Sequence, residues 1–175
     1  MKVINLYAGP GSGKSTTAAY IFSYLKNNNC NVELVREFAK DIVYEKSDHV
    51  LNNQIYVTGH QYKRLRDIMD YGVKLVITDS PLLLGLIYCK SKPYFTEYSE
   101  LLKKLNSEFQ NINVFVKRTK PYNPSGRLQT VEESDDISNQ LKSIIKFDYE
   151  IDGTEDHQRK FSKILHDLYS QEITV

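Results

Sequence analysis

The stretch Val3-Ile4-Asn5-Leu6-Tyr7-Ala8-Gly9-Pro10-Gly11-Ser12-Gly13-Lys14-Ser15-Thr16 decides the fold of this chain. Its first half is an apolar run of strand type; its second half is rich in glycine and ends in Lys-Ser-Thr. That order reads as a strand entering a phosphate-binding loop of the Walker A arrangement, with Ala8 where the first glycine often stands. Gly9, Gly11 and Gly13 allow backbone conformations that a Cβ resists, so that successive N–H groups turn inward around a phosphate. Lys14 brings a mobile charge to the outer phosphates, and Ser15 offers a hydroxyl to Mg²⁺. Ser12 and Thr16 complete the run of loop residues expected to hold the nucleotide. Downstream, Ala18, Ala19, Phe22 and Leu25 recur with helical spacing, and a helix starting at Lys14 turns its positive end toward the same anion. The implied ligand is a nucleoside triphosphate.

The rest of the composition narrows the setting. At 175 residues the chain fits one domain over 1–175 and is long enough to bury a core. A net charge of +1 argues against a broad nucleic-acid or membrane-binding face. The 13 tyrosines, with no tryptophan, do not interleave with a basic stripe, so packing explains them better than base stacking. Cys30 and Cys89 have no metal-ligand spacing, and no signal-peptide or membrane-spanning pattern is present, which sets the expectation of a cytoplasmic enzyme with free thiols.

Along the chain, strands and helices alternate. Strands are expected at about Lys2–Tyr7, Val32–Val35, Leu75–Thr78, Ile112–Val116 and Tyr149–Ile151. Helices are expected at Lys14–Asn28, Glu37–Glu45 and Asn52–Tyr71, then from Pro81. Further helices are read around Tyr98–Phe109, Ile137–Ile145 and Phe161–Leu168. Five short apolar strands separated by helices predict an α/β fold, a parallel sheet with helices on both faces. Ligands in such sheets sit beyond the carboxyl ends of the strands. The phosphate loop, Arg36-Glu37, Asp79, the Arg118–Thr130 loop and Asp152-Gly153-Thr154 should therefore converge on one cleft.

Each strand end offers chemistry. Asp79, after four apolar residues, matches a Walker B carboxylate that shares Mg²⁺ with Ser15; the alternative is a cap for the helix near Pro81. Arg36 suits a clamp on an acceptor's phosphate, and Glu37 a base for an acceptor's hydroxyl; alternatively Glu37 starts a helix and Arg36 is solvated. The segment over about 118–131 is too long for a simple connection and reads as a lid, with Arg127 neutralising charge on a transferring phosphoryl group. On the helix around Val57–Met69, Gln61 and Arg64 are further candidates for substrate contact, whereas His60, Lys63 and Arg66 suit a solvated face.

The sequence resembles the P-loop small-molecule kinases related to nucleoside and nucleoside monophosphate kinases. Gly9–Thr16 is similar to their nucleotide-binding loop. Val35-Arg36-Glu37 is similar to the segment after strand two of thymidylate kinases. Ser125-Gly126-Arg127 with Glu132-Glu133-Ser134 resembles the lid of UMP/CMP and adenylate kinases, and Glu150-Ile151-Asp152-Gly153 their last strand. Arg36-Glu37-Phe38-Ala39, Gln61 and Ile77–Ser80 also resemble the nicotinamide-riboside kinase domain and the AAA-type ATPases grouped with it. The resemblance implies a P-loop NTPase fold and an ATP- and Mg²⁺-dependent phosphotransferase acting on a nucleoside- or nucleotide-like small molecule. It places Arg127 on the phosphates, and Arg118 and the loop after Asp152 near the adenine. Departures exist: Asp135-Asp136-Ile137-Ser138 stands where a second lid arginine is usual, and Ser80 where thymidylate kinases carry arginine. Two other readings remain open at this stage. One is a kinase acting on a nucleic-acid end or modified base; the other is a P-loop ATPase or switch acting on a protein partner.

Overall fold

The computed structural model describes residues 1–123, 129–152, 161 and 164. In chain order these form β1 (Lys2–Tyr7), α1 (Lys14–Asn27), β2 (Val32–Val35), α2 (Phe38–Tyr44), α3 (Gln54–Asp70) and β3 (Leu75–Thr78). There follow α4 (Gly85–Tyr88), α5 (Phe95–Asn106), β4 (Gln110–Lys117), α6 (Val131–Ile144) and β5 (Tyr149–Asp152). Two 3₁₀ turns, Asp48–Asn52 and Leu82–Leu84, precede α3 and α4.

The described strands form one parallel sheet in the order β2-β3-β1-β4-β5. This is the expected α/β architecture of the P-loop fold, with β1 at the centre. From β1 the chain runs through α1 to the edge strand β2, steps back to β3, and then crosses β1 to reach β4. Such a reversal opens a crevice at the carboxyl edge, where the glycine-rich loop leaves β1.

Side-chain alternation along the strands separates the two faces. Ile4 and Leu6 point with Ile77, Val114 and Val116 toward Ala18, Ile21 and Leu25 of α1, and Phe161 and Ile164 are buried in this same core. Val3 and Val76 point the other way, toward Leu65 of α3, Leu86 of α4 and Tyr98 and Leu102 of α5. Tyr7 and Phe115 share that second face with Ile137 and Leu141 of α6. Helices therefore cover both faces, and the continuous apolar strand sequences follow from that. Among the described residues no helix is long and apolar enough to cross a membrane.

Several boundaries differ from expectation for local reasons. The helix expected over Asn52–Tyr71 starts two residues later, because the Asn53 side chain accepts the Tyr56 N–H at 3.1 Å and caps α3 at Gln54. Pro81 does not enter a first helical turn; at ψ 146 it is extended and precedes a 3₁₀ turn. Leu101, within the helix expected around Tyr98–Phe109, is 53% exposed, whereas Tyr98 and Leu102 are buried. Gly153, Thr154, Leu165 and Leu168 lie outside the described residues.

Ile21 is completely buried where α1 meets the sheet. Ile21→Ala is expected to lower unfolding free energy by about 2–5 kcal/mol, read from urea midpoints at unchanged slope. A loss below about 1 kcal/mol would mean that α1 is not docked as described.

Candidate functional site

The phosphate loop owes its shape to two different uses of glycine. Gly11 and Gly13 have φ of 79° and 93°, left-handed values that a Cβ makes costly. Gly9 is different: a Cβ there would meet the Ser134 carbonyl oxygen at 2.0 Å and Ser138 Oγ at 2.8 Å. Its requirement is room, because α6 packs against the loop.

Three hydrogen bonds make that contact specific. Gly9 N–H donates to Ser138 Oγ at 2.9 Å, Ser138 O–H to the Ser134 carbonyl at 3.0 Å, and Ser134 O–H to the Pro10 carbonyl at 2.6 Å. Within the loop, Ser12 O–H donates to the Gly9 carbonyl at 3.0 Å. Helix α1 then starts from Gly13 with no side chain capping its first turn and no acidic residue in it. Its leading N–H groups and positive end are therefore directed at an anion. Lys14 Nζ reaches back over the loop to the carbonyls of Ala8 at 3.0 Å and Gly9 at 3.3 Å.

Register sets the next part of the site. Val35 lies opposite Thr78, so the residues after β2 and β3 leave the sheet side by side. Asp79 is buried, and its Oδ1 accepts the Glu37 N–H at 3.0 Å. This bond across the strand ends replaces the alternative in which Asp79 caps the following helix; no side chain caps the Leu82–Leu84 turn. Ser15 and Asp79 both line a side cavity of about 210 Å³, together with Glu37 and Lys40. A hydroxyl and a carboxylate are hard oxygen donors suited to Mg²⁺, which takes few protein ligands and completes its shell with water and phosphate oxygens.

Arg36 and Glu37, adjacent in sequence, diverge. Glu37 occupies the N-cap position of α2, but its side chain caps nothing. It lines the main cleft, a cavity of about 560 Å³ that also includes Gly11, Gly13, Lys14, Ser15 and Thr16. Burial raises the Glu37 carboxyl above its ordinary pKa; the Lys14 charge opposes this rise and Asp79 adds to it. Arg36 extends outward with its side chain 68% exposed, pairs with Asp41 at 3.5 Å, and borders only the small side cavity. Arg64 donates to Asp41 at 3.1 Å and to the Arg36 carbonyl at 3.0 Å, and its guanidinium lies 5.1 Å from the Phe38 ring centroid. Arg64 lines neither cavity, contrary to the expectation that it faces substrate. Lys63 and Arg66 pair with acidic groups on the outer surface.

Gln61 does face the main cleft, in a wall that also contains Gln54 and Thr58. Its Nε2 donates to Thr78 Oγ1 at 3.3 Å, and Thr58 Oγ1 lies 2.5 Å from Tyr98 Oη. Sequence reasoning missed Thr58, Tyr98, Ser134 and Ser138. The serines carried one signal: they are polar residues at a four-residue interval beside the apolar stripe of Ile137 and Leu141.

Just after β4, Arg118 pairs with Asp135, donates to Ser134 Oγ at 3.4 Å and lies 5.6 Å from the Tyr122 ring centroid. It is therefore tied to α6, the helix whose Ser138 holds Gly9. Tyr122 O–H donates to the Gln129 carbonyl at 2.6 Å, and Gln129 lines the cleft. Asp152 ends β5 opposite Lys117. Arg127, with Ser125 and Gly126, lies outside the described residues. The acidic run after it has a structural use, since Glu133 and Thr130 form a capping box at the start of α6.

Residues 3–157 match the AAA domain family. No curated protein sequence matches the chain significantly. Among solved structures, a NadR protein in complex with NR is similar with a TM-score of 0.64 at 15% identity, over 86% of this chain. The chain spans only 45% of that protein's length. Shikimate kinase from Aquifex aeolicus is similar with a TM-score of 0.52 at 16% identity, covering 100% of both chains. At such identities the likeness establishes the fold, and the resemblance to P-loop small-molecule kinases holds at that level.

Gly9→Ala tests the contact between α6 and the loop. The added methyl forces loop and helix apart, so ATP affinity should fall at least about tenfold, by calorimetric titration, with a lower melting temperature. Wild-type affinity in this variant would show that the contact does not shape the loop.

Proposed function

This chain belongs to the AAA domain family, and we propose that it is an ATP- and Mg²⁺-dependent kinase. It passes the γ-phosphoryl group to a hydroxyl of a nucleoside-like small molecule, and residues 1–175 act as one P-loop kinase domain. The observation that carries this reading is the divergence of Arg36 and Glu37. The carboxylate of Glu37 borders the cleft beside Lys14, while the guanidinium of Arg36 is directed away and paired with Asp41. A carboxylate beside the nucleotide site suits a hydroxyl that must lose a proton; an acceptor phosphate calls for the opposite charge. The fold adds support through its likeness to a shikimate kinase and to a NadR protein solved with NR.

ATP supplies the transferable phosphoryl group, and Mg²⁺ neutralises charge on its oxygens. Gly9, Gly11, Ser12, Gly13 and Thr16 form the cradle for the polyphosphate, and Lys14 turns from the Ala8 and Gly9 carbonyls to the outer phosphates. Ser15 and Asp79 hold the metal. Gln61 holds the acceptor, and Glu37 orients the acceptor hydroxyl and takes its proton. Arg127 is assigned to the charge on the transferring phosphoryl group, and Arg118 and Asp152 to the adenine. Positioning and charge neutralisation dominate phosphoryl transfer, so this small set suffices chemically.

The test is a panel of nucleosides, nicotinamide riboside and nucleoside monophosphates, incubated with ATP and Mg²⁺ and read by acceptor mass. Phosphorylation of an uncharged hydroxyl compound, with ADP formed only in its presence, is the expected result. ADP release without an acceptor points to an ATPase instead, and preferential use of monophosphates removes Glu37 from its role.

The pH profile gives an independent check. Because burial raises the Glu37 pKa, turnover should rise with pH through a value above the usual 4.5 as the carboxylate becomes able to accept a proton. Glu37→Gln should cost roughly 10²–10⁴ in turnover and abolish that limb. An unchanged acidic limb in the variant contradicts the assignment.

A further inference from the structure

Helix α3 buries a mostly polar face. Gln54, Thr58, Gln61 and Leu65 are its buried residues, and the first three line the main cleft opposite the phosphate loop. Buried polar groups are retained when they are hydrogen-bonded, so each of these has to be accounted for. Gln54 Nε2 donates to the Leu51 carbonyl at 2.6 Å, and Thr58 pairs with Tyr98 Oη. Gln61 is only 3% exposed, and its Nε2 is engaged by Thr78 Oγ1. Its Oε1 is buried and accepts no hydrogen bond among the described residues. Gln61 thus lines the cleft with its amide fixed at the nitrogen end, while its buried carbonyl oxygen has no partner among the described residues.

We infer that this face of α3 is the acceptor subsite, and that Gln61 Oε1 takes a hydrogen bond from an amino N–H on the base of an uncharged, nucleoside-like acceptor. The inference rests on the kinase reading and adds the hydrogen-bond donor by which the acceptor is recognised. The wall offers amides and a hydroxyl but no cation. Glu37 faces the same space. A phosphate or carboxylate placed against Gln61 would meet lone pairs rather than donors. Lys40 and Lys92 also line the cleft, but on α2 and on the segment after α4, not on this wall. A site built around a buried hydrogen-bonding group discriminates strongly, because an analogue lacking the donor leaves that group unpaired.

Matched nucleosides that differ in one donor test this directly: adenosine against purine riboside, and cytidine against pyrimidin-2-one riboside. With ATP and Mg²⁺, the wild-type protein should favour the amino-bearing member of at least one pair by about tenfold or more in kcat/KM. Gln61→Met keeps the length but removes the oxygen and should bring that ratio near one. Gln61→Glu keeps an oxygen and should retain the preference. Titration with a fluorescent ATP analogue, run in parallel, should give wild-type affinity in both variants. The inference is overturned by ratios near one in the wild type, by preference for the donor-lacking member, or by a ratio that survives Gln61→Met. It is also overturned if the protein binds the ATP analogue but phosphorylates no member of either pair. Failure of the wild type to bind the analogue is a separate result; it overturns the kinase reading, and this inference with it.

Discussion

The hydrogen bond from the Glu37 amide to the Asp79 carboxylate joins the two halves of the cleft. It exists because parallel pairing sets Val35 opposite Thr78, so that both chains leave the sheet at one level. A slip of one residue would turn every side chain of β2 to the other face and separate these groups. The Asp79 carboxylate, buried and held through one oxygen, is thereby fixed near Ser15. The Glu37 side chain, whose backbone makes the same bond, is fixed on the cleft beside Lys14. Asp79 in the side cavity and Glu37 on the main cleft are positioned by one interaction between strand ends.

Charge in the cleft is divided with some economy. Arg36 and Arg64 converge on Asp41, so that among the described residues neither guanidinium lines the main cleft. Lys14 faces the nucleotide side, where its charge also works against the rise that burial imposes on Glu37. The phosphate loop is held from behind by the hydroxyls of Ser134 and Ser138, and Arg118 and Asp135 extend that network. Helix α6 and the phosphate loop are one hydrogen-bonded unit.

Much of this was legible in the sequence, and the limits have physical reasons. The loop, the central strand and the acid after β3 are local patterns: spacing alone identifies them, and the parallel sheet follows from apolar strands alternating with helices. The direction of Arg36 was not legible, because it depends on Asp41 and on Arg64, which comes from another helix. Gly9 reads in sequence as a conformational requirement, but the structure makes it a matter of space set by Ser134. Contacts of that kind, with more than one hundred residues between partners, leave no periodic trace. Gln61 was a candidate by position on its helix; the orphaned carbonyl that gives it meaning appears only once Thr78 is seen beside it.

The most direct measurement is a crystal structure of the protein with a non-hydrolysable ATP analogue and Mg²⁺. The account predicts triphosphate density ringed by the amides from Gly11 to Ser15, with Lys14 Nζ moved off the Ala8 carbonyl onto the outer phosphates. An empty loop at saturating analogue, with Lys14 still on the Ala8 carbonyl, would contradict it.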